Sequence, residues 1–319
     1  MQGLKFSRLH AGEQSNFGGG LGEREAERSL PQHPRTAEGN RQMELKFCSL
    51  FSGSSGNALY ARSGNTHLLI DAGLSGTKIA KELEKIGVAP CELSGILITH
   101  EHMDHIAGVG VLSRRFNLPV YANEATWEAM RPKLGTIDPA NERVFESGID
   151  FYIDDMDIFP FRTPHDAAES VGFSITAGQC KLTIATDLGA VKDSWLGHAE
   201  RSDILLLESN HDVDMLKSGR YPYELKRRIL GRHGHLSNDD AGRAAVELVR
   251  RGVRTVILGH LSGENNFPEL AYRSVACALE EAGIRPENVK LSVASRVEHG
   301  PIFTASDEGD VYQEALGNG

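Results

Sequence analysis

From residue 43 onward the chain alternates between short apolar runs and longer stretches in which apolar residues recur every three to four positions. Leu45, Phe47 and Ser49-Leu50 begin with a two-residue alternation, the pattern of a strand that turns one face to a core. Runs rich in Val, Ile, Leu and Phe predict strands over 44–50, 57–62, 66–71, 95–99, 119–121, 157–162, 171–176, 181–186, 203–207, 255–259 and 290–293. The longer periodicity predicts helices over 76–86, 105–116, 123–131, 191–198, 222–230, 238–251 and 268–282. Several of these end in Lys or Arg, whose charge complements the helix dipole. Strands dominate the first half in meander-like order with helices interspersed, so the fold class is α/β, with sheets covered by helices.

Residues 1–42 break this pattern. They are rich in Gly, Glu, Arg and Gln, contain Gly18-Gly19-Gly20 and nearly lack apolar periodicity. Such a segment is expected to be disordered, and it has no apolar stretch of the kind a secretory signal needs. Because Met43 leads directly into the first strand, the folded catalytic domain is expected over 43–305. Residues 306–319 would form a C-terminal tail, and the leader would be either a translation-start extension or a functional tail. A chain of 319 residues easily buries a sizeable core. No run approaches the roughly 18 consecutive apolar residues of a membrane-spanning helix, which excludes a membrane span. The four cysteines, Cys48, Cys91, Cys180 and Cys277, are scattered and form no CxxC pair. Neither a disulfide framework nor a thiolate zinc site is indicated, and reduced thiols in the cytoplasm are expected. A net charge of −10 counts against a protein that grips nucleic acid over its whole surface, while leaving room for a local basic groove.

The decisive segment is Ile98-Thr99-His100-Glu101-His102-Met103-Asp104-His105, between an apolar run and a helical pattern. In an extended loop, residues two apart point the same way, so His100 and His102 are placed to grip one ion together. Asp104 and His105 lie past the bend at the helix start, facing a second. Imidazole and carboxylate donors suit zinc, manganese or iron. The plain alternative is a histidine-rich surface loop. Four ionisable groups packed where α/β folds place their active sites weigh against it. Two ions need further ligands, and three candidates directly follow strands: His165 in Thr163-Pro164-His165-Asp166, Asp187 after Leu182–Thr186, and His260 after Val256–Gly259. Taken singly, each reads as an ordinary surface or capping residue.

The pattern Thr-His-x-His-x-Asp-His followed by His165, Asp187 and His260 resembles the metallo-β-lactamase superfamily over about residues 43–300. The resemblance implies an αββα sandwich of two face-to-face sheets covered by helices. It also implies that His100, His102 and His165 bind a first metal, Asp104, His105 and His260 a second, and that Asp187 bridges both. An Asp at the bridge, together with Asp104, resembles the dinuclear hydrolases more than the true β-lactamases.

Three further runs narrow the branch. Phe51-Ser52-Gly53-Ser54-Ser55-Gly56-Asn57 offers backbone N–H groups and hydroxyls to a phosphate, unless it is a plain hairpin loop. Glu208-Ser209-Asn210-His211-Asp212 follows a strand, and His233-Gly234-His235-Leu236-Ser237-Asn238 precedes a helix that Ser237 or Asn238 would cap. With Gly259-His260-Leu261-Ser262, these runs are similar to the small YycJ/WalJ branch, whose members resemble DNA exonucleases and are related to RNase Z-type phosphodiesterases. The resemblance implies that His235, paired with Glu208, contacts the scissile phosphate or protonates the leaving group. The short interval between His165 and Asp187 leaves no room for a tRNA-gripping arm, and that between Asp187 and His260 none for a β-CASP domain. Near His235, Lys226, Arg227, Arg228, Arg232, Arg243, Arg250, Arg251 and Arg254 form a locally basic stretch, with Tyr221 and Tyr223 available to stack on a base. These residues would line a groove or, on the plainer reading, simply coat solvated helix faces.

The expected function is therefore dinuclear-metal-dependent phosphodiester hydrolysis by a metal-bound hydroxide, with a DNA substrate. Expected catalytic residues are Asp104, His235 and Glu208; expected substrate contacts are Ser54, Ser55, Asn57, Arg232 and Ser262. The rivals are a small-molecule cyclic phosphodiesterase, a glyoxalase-II-like thioester hydrolase and a non-catalytic binding module that keeps its metals for stability.

Overall fold

In the computed structural model, which describes residues 43–314, alternate side chains of each strand pack toward opposite faces and divide the interior into three apolar layers. The segment 1–42, expected to be disordered, lies outside the described residues. The chain first forms β1 (Glu44–Phe51), β2 (Ala58–Ser63), β3 (Thr66–Ile70), α1 (Gly76–Lys85) and β4 (Gly95–Leu97). Next come α2 (Met103–Ile106), α3 (Val109–Phe116), β5 (Val120–Ala122), α4 (Glu124–Leu134) and β6 (Glu142–Val144). The second half supplies β7 (Phe151–Ile153), β8 (Met156–Arg162), β9 (Val171–Ala177), β10 (Cys180–Ala185), α5 (Asp193–Ala199) and β11 (Ile204–Glu208). It continues through α6 (Val213–Ser218), α7 (Tyr223–Ile229), α8 (Asn238–Arg250), β12 (Thr255–Gly259), α9 (Pro268–Glu281) and β13 (Lys290–Val293). A closing hairpin, β14 (Ile302–Ser306) and β15 (Val311–Glu314), returns to the first sheet.

The sheets run β15-β14-β1-β2-β3-β4-β5-β6 and β13-β12-β11-β10-β9-β8-β7. Each is antiparallel on one side and parallel on the other, the parallel parts being β3 to β6 and β10 to β13. Between the sheets, Phe47, Leu59, Leu68 and Ile70 meet Phe173, Ile175, Leu182 and Leu206. The outward residues Leu50, Leu69, Ile96 and Ile98 pack under Ile79, Leu83, Leu112 and Trp127 of the first helical layer. Leu205, Leu207, Val256 and Leu258 pack under Trp195, Ala244, Leu248 and Val275 of the second. Burial on both faces is why the parallel strands read as unbroken apolar runs.

The expected α/β sandwich is the one observed, with differences of detail. Four strands escape the hydrophobic pattern. Glu142–Val144, Phe151–Ile153 and Val311–Glu314 are short sheet-edge strands with little alternation to display, and Ile302–Ser306 sits inside the sheet. Because β14 and β15 extend the first sheet past residue 305, the segment expected to be a tail is ordered sheet through Glu314. The helix expected over 105–116 is two helices. The chain breaks at Gly108, where an added Cβ would lie 2.3 Å from the Leu74 carbonyl oxygen, so close approach replaces helical continuity. Ser237 is the N-cap of α8, its Oγ accepting from the Asp240 N–H at 3.1 Å. Among the described residues no helix is long and apolar enough to cross a membrane.

Candidate metal centre

The turns that follow the carboxyl ends of β4, β8, β10 and β12 converge at one edge of the sandwich, and each brings a donor side chain. In the turn after β4, His100 is fully buried, His102 occupies the N-cap position of α2, and Asp104 and His105 lie in that helix. His100 Nε2 is 3.0 Å from His102 Nδ1, which is 3.3 Å from His165 Nε2. A second group joins Asp104, His105 and His260, with Asp104 Oδ2 at 3.6 Å from His105 Nε2 and 3.7 Å from His260 Nε2. Asp187 stands between the two. One carboxylate oxygen is 3.6 Å from both His165 Nε2 and His260 Nε2, and the other is 3.4 Å from His105 Nε2.

The outer ring nitrogens decide what the inner ones present. His105 Nδ1–H donates to Asp71 Oδ2 at 2.7 Å, and His165 Nδ1–H donates to the Gly234 carbonyl at 3.0 Å. His260 Nδ1–H donates to Glu208 Oε1 at 2.9 Å. Thr99 Oγ1 donates to Asp71 and so accepts from His100 Nδ1 at 3.0 Å. In its neutral form each ring is thereby fixed with its lone pair on Nε2 facing the centre, the tautomer that a metal ligand needs. Asp187 Oδ2 and His260 Nε2 are buried and have no hydrogen-bond partner among the described residues. Buried acceptors left unpaired are costly, and a cation is the partner that suits a cage of imidazole and carboxylate acceptors. The donor set therefore fits divalent metal ions, which this structure does not contain.

Electrostatics follow from burial and proximity. Burial and the surrounding imidazoles hold His100 well below the usual histidine range, keeping it neutral. Burial disfavours charge on Asp187, but His260, His105 and His165 outweigh it and lower its carboxyl. The same contest, won by His105 and His260, holds Asp104 well below the carboxylate range. Burial opposes protonation of His105, yet Asp187, Asp71 and Asp104 push it up to about 9.

Glu208, fully buried at the end of β11, accepts from four groups: His260 Nδ1, His235 Nδ1 at 2.8 Å, and the backbone N–H groups of Leu188 and Leu236. Although burial raises its pKa, His235 and His260 hold the carboxyl well below its usual range. His235 borders a cleft of about 380 Å³ that opens over Asp104, Asp187 and His260 and is also lined by Ser54, Tyr221, Arg228 and Ser262.

Other expected substrate contacts do not line this cleft. Asn57 is buried, its amide accepting from Gly53 N–H, donating to Gly53 O and lying 3.2 Å from His105 Nε2. Ser55 and Arg232 are exposed and do not line the cleft, and neither does Tyr223. The basic stretch also disperses. Lys226 Nζ binds the Lys217 and Gly219 carbonyls, Arg227 pairs with Glu224, Arg243 with Asp240, and Arg251 with Asp193 and Glu247. Among the described residues, Arg228 is the cation that lines the cleft, forked onto Asp166 beside His165. Sequence reasoning missed Asp71, Thr99 and the bond from Glu208 to His260. Asp71 carried a usable signal, since it ends an apolar strand as His260 does.

A profile of the metallo-beta-lactamase superfamily matches residues 52–260. The chain is 42% identical over 245 residues to exodeoxyribonuclease WalJ of Streptococcus pneumoniae, spanning 76% of this chain and 91% of that protein. It is 43% identical over 241 residues to exodeoxyribonuclease YycJ of Bacillus anthracis, with the same coverage of each. The crystal structure of the metallo-beta-lactamase fold protein YhfI from Bacillus subtilis superposes with a TM-score of 0.61 at 19% identity, covering 80% of this chain and 99% of that one.

Proposed function

Because the chain belongs to the metallo-β-lactamase superfamily, we propose that it is a DNA exonuclease hydrolysing phosphodiester bonds with two divalent metal ions. The observation that carries this reading is the arrangement of seven donors around two adjacent positions, with the unpaired Asp187 carboxylate between them and His235 on the cleft wall. That the two exodeoxyribonucleases are matched over 91% of their length supports DNA as the substrate. His100, His102 and His165 would hold one ion, Asp104, His105 and His260 the other, and Asp187 both. The donor chemistry suits zinc, manganese or iron. Bound there, such ions supply an activated water and offset charge on the phosphate.

The side chains themselves divide the remaining work. Asp104, partly open to the cleft, orients the attacking water. Glu208 fixes His235 with Nδ1–H toward the carboxylate, so Nε2 is directed away from it, and the same carboxylate stabilises the imidazolium. Protonated His235 then delivers its Nε2 proton to the departing oxygen. Arg228 adds a permanent positive charge to a cleft otherwise dominated by Asp104 and Asp187. The four free, scattered cysteines support a cytoplasmic site of action.

The test is hydrolysis of end-labelled single- and double-stranded DNA with manganese or zinc, alongside a cyclic nucleotide and a thioester. Progressive shortening of DNA from an end, abolished by EDTA and by His102→Ala, is expected. Turnover of the cyclic nucleotide or thioester with DNA left intact would overturn the proposal.

A further inference from the structure

Arg296, in the turn after β13, is half-buried, and among the described residues its guanidinium has no carboxylate or carbonyl partner. An arginine whose stem is packed on the fold while its guanidinium stays unpaired presents a positioned, charged fork to an anion. The fold holds it closely. The backbone of Ser52 donates to the Ser295 carbonyl at 3.0 Å, and Gly53 bridges Leu261. The Arg296 stem then crosses Gly53, where an added Cβ would fall 2.8 Å from Cγ and 2.9 Å from Cδ. Its guanidinium comes to rest against Gly263, where an added Cβ would fall 2.6 Å from Nη1. Any side chain at either position would have to displace it. Gly53 and Gly263 directly adjoin Ser54 and Ser262, whose side chains line the cleft over the metal centre. The Ser262 hydroxyl oxygen accepts from the Asn265 backbone N–H at 3.2 Å and from its side-chain amide at 3.5 Å, so its own proton is engaged by neither bond.

We infer that Arg296, with the hydroxyls of Ser54 and Ser262, forms a phosphate-binding subsite at the rim of the cleft that holds the nucleic acid strand away from the scissile bond. A guanidinium fork and hydroxyl donors match phosphate oxygens, and the missing anion is then supplied by substrate. This subsite rests on the proposed nuclease reading. The bound phosphate belongs either to an internal linkage or to a strand terminus.

The experiment measures binding of a fluorescein-labelled, phosphorothioate single-stranded oligonucleotide to metal-loaded protein, with and without a 5′-terminal phosphate, across a salt series. Cleavage and metal content are followed in parallel. Arg296→Ala should weaken binding roughly tenfold, the loss of a charge-assisted bond, and flatten the salt dependence by about 0.7, one phosphate contact on a single strand. Gly263→Ala, which displaces the guanidinium but keeps the charge on the chain, should weaken binding in the same direction, and Arg296→Lys should retain the salt slope. Metal content should stay at the wild-type value in all three. A loss seen on both oligonucleotides assigns the subsite to an internal phosphate, and a loss confined to the phosphorylated one assigns it to the terminus. Wild-type affinity and slope in Arg296→Ala would overturn the subsite alone. A wild-type protein that neither binds nor cleaves DNA would overturn it together with the reading beneath it.

Discussion

Asp71, Asp187 and His260 each follow a strand with a φ of 57–58°, a left-handed conformation that side chains other than glycine seldom adopt. Strain of this kind, of order 1–3 kcal/mol per residue, persists where surrounding structure imposes it and gathers at functional sites. Here it turns carboxylate and imidazole back over the sheet edge toward a common centre. Asp71 faces no metal position directly, acting through His105 and Thr99. Asp71→Ala should therefore lower metal affinity about 10- to 100-fold without abolishing the fold, as loss of such outer partners usually does. Competition against a chelating dye measures it, and unchanged affinity would remove Asp71 from the account. His235→Ala should slow turnover with metal content unchanged, whereas loss of metal would mean that His235 is a ligand. The seven donors were legible because His100, His102, Asp104 and His105 stand within one dense motif, and His165, Asp187 and His260 follow apolar strands. The places of Asn57 and Arg232 were not legible, because a polar residue in a loop looks the same whether it faces substrate, its own backbone or solvent.

At the scale of elements, the loops before β2 and after β3 brace the metal-bearing turn. Asn57 N–H donates to the Asp104 carbonyl at 2.8 Å, Ala72 N–H to that of His105 at 2.7 Å, and Gly108 N–H to that of Ala72 at 2.7 Å. Gly73 lies so close beneath that an added Cβ would fall 1.6 Å from the Asp104 carbonyl oxygen. Gly73→Ala must shift the turn, so it should lower both metal occupancy and melting temperature. A variant with wild-type values of both would show that the turn tolerates the displacement. None of this bracing is periodic, which is why the sequence pattern predicts one helix over 105–116 where the chain makes two. Edge strands β6, β7 and β15 are similarly faint, because a strand with one neighbour and a mixed face lacks the apolar alternation that marks β1.

Across the whole molecule, both sheets repeat one plan: an antiparallel part that carries the frame and a parallel part whose carboxyl ends carry the donors other than His165, which follows antiparallel β8. Broad features of that plan were readable because the strands are buried on both faces and the helices are amphipathic; how the halves meet was not, since pairing of β14 with β1 joins segments from opposite ends of the described chain. Burial predicts thiol chemistry. Cys48 and Cys180 lie in strands of the sandwich, and burial pushes both thiols up to about 12, while Cys91 and Cys277 are exposed. At pH 8 a thiol with a pKa near 12 is almost wholly protonated and unreactive. A disulfide-exchange reagent should thus titrate Cys91 and Cys277 in the native protein and Cys48 and Cys180 only after unfolding. Rapid native labelling of Cys48 would contradict the packing of β1.

The most direct measurement is the number of manganese or zinc equivalents bound per chain, determined for the wild type and for Asp187→Ala alongside cleavage of end-labelled DNA. Two equivalents in the wild type, weakened binding in the variant and cleavage that disappears with the metal are expected. A wild-type chain that binds no divalent metal, or a variant that cleaves DNA at the wild-type rate, would contradict the shared metal centre on which the proposed activity rests.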